Sequence, residues 1–328
     1  MVRTIVVEEP LLKTGCVLGE GCIWDAQRQR LYFVDIDGKK IYTYEPSSGT
    51  HGYQSFDKKP TALALLQDGS GLLVSLEDGP AYVPFTSLPF PPTNSSSTYK
   101  RLPVDIAPPD GFFRFNEACV DPTGNRWLIG TMMIEDNYPN MIAGTLYALQ
   151  ADGNGGLVAP QILDGITVSN GMGWSHDLKT MYFTDSIRKE IWEFDFNAAN
   201  GEMSNKRIFS GVDEPELGYP DGMCQDAQYG FWSARWGASK VLHFTPDGEL
   251  DLIIQFPKAL NMTSCIFGGA NMDELYVTSA SAATSGDSVD KFPDSGHLYV
   301  VKGLGFEGRE RTRFSGKLPV NLADIPNQ

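Results

Sequence analysis

The sequence predicts an all-β fold, a six-bladed β-propeller. Three observations carry the expectation: a hairpin unit recurs six times, a second hairpin alternating at period two often follows it, and helical periodicity is nearly absent. The unit is clearest at Ser169-Asn170-Gly171 through Trp174-Ser175 to Tyr182-Phe183-Thr184-Asp185-Ser186. It comprises a polar residue beside glycine, a short apolar strand, a turn, and an alternating strand that ends in Asp. The six openers are Glu20, Thr61, Asn116, Asn170, Asp221 and Thr263, spaced by 41 to 55 residues. That spacing, with several short strands per copy, is the mark of radial blades around a channel.

In chain order, Thr4-Ile5-Val6-Val7 is a strand with no hairpin partner nearby. A propeller must join its last blade to its first, so this strand is expected to close onto the last blade, near 297–301 or 312–314. Outer hairpins follow at 40–46, 144–149, 190–195 and 240–245, each ending in a Gly-containing turn. Two stretches break the pattern. Residues 85–110, rich in Pro and Ser, read as an inserted loop, and 279–294, small and polar, as a second connection. Since the repeats span nearly all 328 residues, the expectation is a single domain, 1–328.

Composition narrows the function. A net charge of −15, from 41 acidic and 26 basic residues, argues against nucleic acid or anionic lipid as a partner, because both demand a basic face. A solvated surface is the plain reading of the acidity. The five cysteines (Cys16, Cys22, Cys119, Cys224, Cys265) show no metal-ligand spacing and sit in or beside apolar strands, so buried reduced thiols are expected. The first residues lack the apolar run of a signal peptide and no segment reaches membrane-spanning length, so the expectation is a cytoplasmic protein, as a monomer.

Equivalent positions of successive blades face one another across a propeller channel, so the six openers are expected to converge at one end. Two carboxylates and two amides would meet there, hard oxygen donors that suit Ca²⁺, Mg²⁺ or Mn²⁺ better than a structural zinc site. A single Asn-Gly or Asp-Gly is more often a turn-maker. The set is harder to dismiss, because a buried cluster of carboxylates needs a cation or proton to offset its charge. Glu20, Asn170 and Asp221 are therefore expected to hold a metal, while Asn116 stays open. Arg114, two residues before Asn116, either holds a hydroxylated or anionic ligand or pairs with a surface carboxylate. The four histidines share no register, and Ser169, Ser175 and Ser186 lack a nucleophile elbow. Trp24, Trp127, Trp174 and Trp232 read as repeat-equivalent packing residues.

Several of these motifs together resemble the SMP-30/gluconolactonase/luciferin-regenerating-enzyme family. They are Gly19-Glu20-Gly21 with Trp24-Asp25, Arg114-Phe115-Asn116 with Asp121-Pro122, Ser169-Asn170-Gly171, and Pro220-Asp221-Gly222-Met223. The resemblance runs from about residue 18 to about 280. It implies a six-bladed propeller with one divalent cation in its central channel and, in many members, hydrolysis of sugar lactones. Carried over, it implies Glu20, Asn170 and Asp221 as metal ligands and Arg114, Asn116 and Glu135 as substrate contacts. The family usually reads Arg-x-Asn-Asp-Gly; here Glu117-Ala118 follows Asn116.

The leading expectation is a divalent-metal-dependent hydrolase opening an aldonolactone to its aldonic acid, with Asp221 as catalytic base and Ca²⁺ first among candidate ions, ahead of Mg²⁺, Mn²⁺ or Zn²⁺. Its partner is a small-molecule lactone, with neither nucleic acid nor membrane. Two alternatives share the site: an organophosphate or ester hydrolase, and a non-catalytic calcium-binding propeller.

Overall fold

Among the described residues of the computed structural model, twenty-six strands group into six sheets. Described are all residues except 1, 109–111, 135–143, 212–214, 317 and 319–326. Blade one runs outward from the axis as Gly19–Asp25, Arg30–Asp35, Lys40–Glu45 and Thr50–Ser55. Blade two begins with Pro60–Leu65, Gly71–Leu76 and Gly79–Pro84, and blade three with Phe113–Val120, Trp127–Met133 and Gly144–Ala151. Blade four is Ser169–Trp174, Thr180–Asp185, Glu190–Asn197 and Glu202–Gly211. Blade five is Tyr219–Gln225, Phe231–Trp236, Lys240–Phe244 and Leu250–Gln255; blade six is Asn261–Gly268, Glu274–Ala280 and Tyr299–Val301. Each innermost strand packs against those of both neighbouring blades, which closes the ring. The six-bladed all-β architecture follows the periodicity of the sequence.

Apolar side chains fill the wedges between blades. One cluster joins blades five, six and one through Trp24, Trp232 and Tyr276, and another joins blades three and four through Leu146, Met172 and Phe183. All four predicted packing tryptophans are buried. They are not equivalent, however: Trp24 and Trp174 lie on innermost strands, Trp127 and Trp232 on second strands. Apolar aromatics suit either layer of a two-sided buried sheet, so their spacing carries no strand assignment. All five cysteines are buried and unpaired, as expected.

The closure differs from the expected one. Arg3–Val6 pairs in parallel with Leu250–Gln255 of blade five, not with the last blade. The chain then crosses to blade six, where Leu12 and Leu298 exchange backbone hydrogen bonds of 3.1 Å, before entering blade one. An outer edge can accept a strand of either direction, and alternation alone does not say which edge it meets. The 85–110 segment is likewise more than a loop. Lys100–Arg101 supplies the outermost strand of blade two, and Ser95–Ser96 adds to the edge of blade one. No described residue of that segment lines the central cavity.

Candidate active site in the channel

The second strand of every blade sets the height of the inner one. The ladder pairs Gly19 with Asp35, Pro60 with Leu76, Phe115 with Thr131, Ser169 with Asp185, Pro220 with Arg235, and Met262 with Ser279. The six openers each follow one of these pairs by a single residue. At that height the ladder shifts in all six blades, directly on the opener in five and one residue later in the first. A bulge takes a residue out of its regular pairing and re-aims its side chain, so one repeated irregularity turns five polar side chains off their sheets, while Glu20, still paired with Val34, stands at the edge of its bulge.

Four of the six line a cavity of about 600 Å³ at this end: Glu20, Asn116, Asn170 and Asp221, together with Arg114. The threonines do not join them. Thr61 Oγ1 donates to Ser75 O at 3.2 Å, inside its own blade, and Thr263 Oγ1 donates to Gly19 O at 2.5 Å, stitching blade six to blade one. A hydroxyl beside an unpaired carbonyl is satisfied where it stands, and sequence spacing does not show that carbonyl. Glu135 lies outside the described residues.

The gathered side chains are held by few bonds. Glu20 accepts the Gly21 N–H at 2.9 Å, and Asn170 Nδ2 donates to Ser186 Oγ at 2.8 Å. Asn116 is fixed at both ends: its Nδ2 donates to Ser169 O at 2.9 Å, and its Oδ1 accepts from Arg114 Nη1 at 2.6 Å. Arg114 therefore stands on the cavity wall beside Asn116. Burial, and then the charge of Glu117, raise the Glu20 carboxyl to about 8. Burial, Glu20 and Glu117 push Asp221 well above the usual carboxylate range. Glu20 and Asp221, from blades one and five, lie within hydrogen-bonding reach of each other.

The other end of the same strands provides the contrast. Asp25, Asp121 and Asp226, five residues after their openers, are fully buried too. There the turns and arginines compensate them: Arg313 and Arg28 reach Asp25, Arg126 reaches Asp121 at 2.7 Å, and the Gly230 N–H, Trp232 and His243 reach Asp226. Burial alone would raise Asp25 and Asp226, yet these partners hold both below the ordinary value. Glu20 and Asp221 have weaker support, from the Gly21 and Gly222 N–H groups, Asn170 and the charge of Arg114, and both stay raised, so their charge calls for a cation or a shared proton. No group of three or more His, Cys, Asp or Glu side chains is arranged to hold a metal among the described residues. The donor set is two carboxyls and one amide oxygen, chemistry that fits a hard divalent cation with open positions.

Sequence reasoning missed much of the wall. Tyr219 and Trp236, cross-strand partners in blade five, face the cavity with Met132, Val168, Ile187 and Leu260. Adjacency to Pro220-Asp221 was the available signal for Tyr219. The segment read as a mere connection, 279–294, contributes Thr284, Ser285 and Asp287, the first two on a short 3₁₀ helix, Ala282–Ser285. Its hydroxyls are tied to backbone carbonyls within that turn, Thr284 to Ser281 and Ser285 to Ala282.

A family model described as SMP-30/Gluconolactonase/LRE-like region matches residues 18–281. Regucalcin of Xenopus laevis is 33% identical over 316 residues, covering 93% of this chain and 99% of that relative. Among solved structures, a luciferin-regenerating enzyme superposes with a TM-score of 0.83 at 30% identity, over 94% of this chain and 99% of that one. A calcium-binding regucalcin from Agrobacterium tumefaciens gives a TM-score of 0.81 at 22% identity over 96% and 99%, which shows a shared fold.

Proposed function

Since the chain belongs to the SMP-30/gluconolactonase/LRE-like family, we propose that it hydrolyses lactones with one divalent cation, Ca²⁺ first among candidates, in its channel. Glu20, Asn170 and Asp221 would hold the ion. The observation that carries the reading is the meeting of two under-compensated carboxyls with an amide in one cavity. When bound, the ion would supply Lewis-acid polarisation of the lactone carbonyl and offset charge developing on its oxygen.

The protein's own groups do the remaining work. Asp221, with its raised proton affinity, takes a proton from the attacking water and returns it to the ring oxygen as the ester bond breaks. Arg114 offers its guanidinium fork to substrate oxygens, and its bond to Asn116 keeps both aimed from one wall. A sugar aldonolactone is the leading substrate class, and the product is its aldonic acid. The apolar wall of Tyr219, Trp236, Met132, Val168 and Leu260 favours a second reading, in which the same groups cleave an ester with an apolar portion. Five unpaired thiols support a reducing, cytosolic setting, and we place the protein there as a monomer acting on small molecules.

The test is metal content together with hydrolysis rates on a panel of aldonolactones and aryl esters, before and after EDTA. Metal-dependent lactone turnover that Asp221→Asn abolishes is the expected result. Full turnover by the stripped protein, or an unaffected Asp221→Asn, would overturn the reading.

A further inference from the structure

The far end of the channel is closed by the chain's own C-terminal segment. Glu307 O accepts the Ala227 N–H at 2.8 Å, and the Gly308 N–H donates to Met272 O at 2.7 Å, which anchors the segment on blades five and six. Phe314 bridges Leu66 of blade two, and Ser315 donates to Gly124 O of blade three at 2.8 Å. Arg313 reaches Asp25 of blade one at 2.8 Å. Residues 307–315 thus cross the axis as a strap.

Arg311 lies at the middle of this strap, partly buried, and its Nη2 donates to Met223 O at 2.8 Å. Met223 is two residues along the inner strand from Asp221. Arg311 also lines a small void with Ile23, Ala118 and Cys119, which places the residue beside the inner strands of blades one and three. Glu117 directly precedes Ala118. It is only 5% exposed, and among the described residues its carboxyl accepts a single hydrogen bond, from the Ala118 N–H at 2.9 Å. Along the inner strands the order is therefore Glu20 and Asp221 at the openers, Glu117 one residue past the opener Asn116, and Arg311 against Met223, two residues past Asp221. Burial first, and then Glu117 among the neighbouring charges, raise Glu20 and Asp221; burial also raises the carboxyl of Glu117 itself, and Arg311 acts on it in the opposite sense.

We propose that Glu117 and the strap-borne Arg311 form a through-channel charge pair that sets how tightly the Glu20–Asn170–Asp221 set holds a divalent cation. Glu117 adds attraction and Arg311 limits it. Arg311 is a positioning residue, touching neither ion nor substrate. The inference rests on the cation site proposed above. Buried charges act over longer distances than surface charges, and salt screens them less.

The experiment is calorimetric titration of Ca²⁺ into EDTA-stripped, full-length protein, with thermal melts in EDTA as a check on folding. Arg311→Met should bind roughly tenfold tighter and Glu117→Gln roughly tenfold weaker. The double variant should return to within about threefold of wild type, and Arg311→Lys should match wild type. A purely structural strap would instead lower the melting temperature of Arg311→Met and leave affinity unchanged or weakened, which overturns the proposal. Glu117→Gln and Arg311→Lys decide the matter even if Arg311→Met does not fold, since an unaltered affinity in Glu117→Gln overturns the pair. A loss beyond roughly a hundredfold in Glu117→Gln would make Glu117 a direct ligand and overturn the pair as drawn. A wild type that binds no divalent cation would overturn the cation site itself; a binding wild type with unresponsive variants overturns this proposal alone.

Discussion

Without a divalent cation, raising the pH should destabilise the protein, and the buried carboxyls of Glu20 and Asp221 should be the cause. Burial and then the charge of Glu117 hold the Glu20 carboxyl at about 8, against an ordinary 4.5. The folded state binds this proton more tightly than the unfolded chain does. Stability from it is complete below about pH 4.5 and is lost as pH rises through about 8. At ~1.4 kcal/mol per pH unit, the difference is on the order of a few kcal/mol shared between the two carboxyls, an appreciable part of the roughly 5 to 15 kcal/mol of a typical domain. Asp221 acts in the same direction. Asp25 and Asp226, held low by their partners, lose their contribution only in acid, so they do not mask the trend. Glu20→Gln removes one of the two titrating groups, and its charge from beside the other, and should make the profile shallower. Ca²⁺ at a hundred times its Kd should restore about 2.7 kcal/mol to the wild type, increasingly so at high pH as it displaces the proton. The assay is urea unfolding followed by tryptophan fluorescence from pH 5 to 8.5, in EDTA and in Ca²⁺. Identical pH slopes for wild type and Glu20→Gln would refute the reasoning.

Other perturbations probe the scaffold and the wall. Trp127→Ala empties a fully buried site between blades two and three and should cost about 3–5 kcal/mol by chemical denaturation. Arg126→Met leaves buried Asp121 without its 2.7 Å partner, and a loss of about 3–5 kcal/mol is expected in the same assay. Deleting residues 2–9 uncovers the Leu250–Gln255 edge, so light scattering should show earlier aggregation on heating. Asn116→Ala removes the 2.6 Å side-chain acceptor of Arg114 while leaving its bond to Phe115 O, and should raise KM about tenfold for the best substrate, with melting unchanged.

Much of the candidate site was legible because a propeller converts sequence period into spatial symmetry. Glu20, Asn170 and Asp221 could be grouped although 150 and 51 residues separate them, since each stands one residue past the same ladder pair. The same logic overreached for Thr61 and Thr263, whose hydroxyls found carbonyl acceptors that no repeat pattern displays. It was silent on Tyr219, Trp236 and Asp287, which reach the cavity because neighbouring blades bring their strand ends and loops to one mouth. It was silent also on Arg311, whose place depends on a segment with no repeat of its own.

Fold class, blade number and the height of the polar layer were written in the chain itself, because alternation and turn residues act locally and repeat. Tertiary structure alone decided which sheet edge took the first strand, where Ser95–Ser96 and Lys100–Arg101 paired, and what closed the far end. Those outcomes depend on edges, carbonyls and charges supplied by distant parts of the chain, and such groups become neighbours only after the ring has formed.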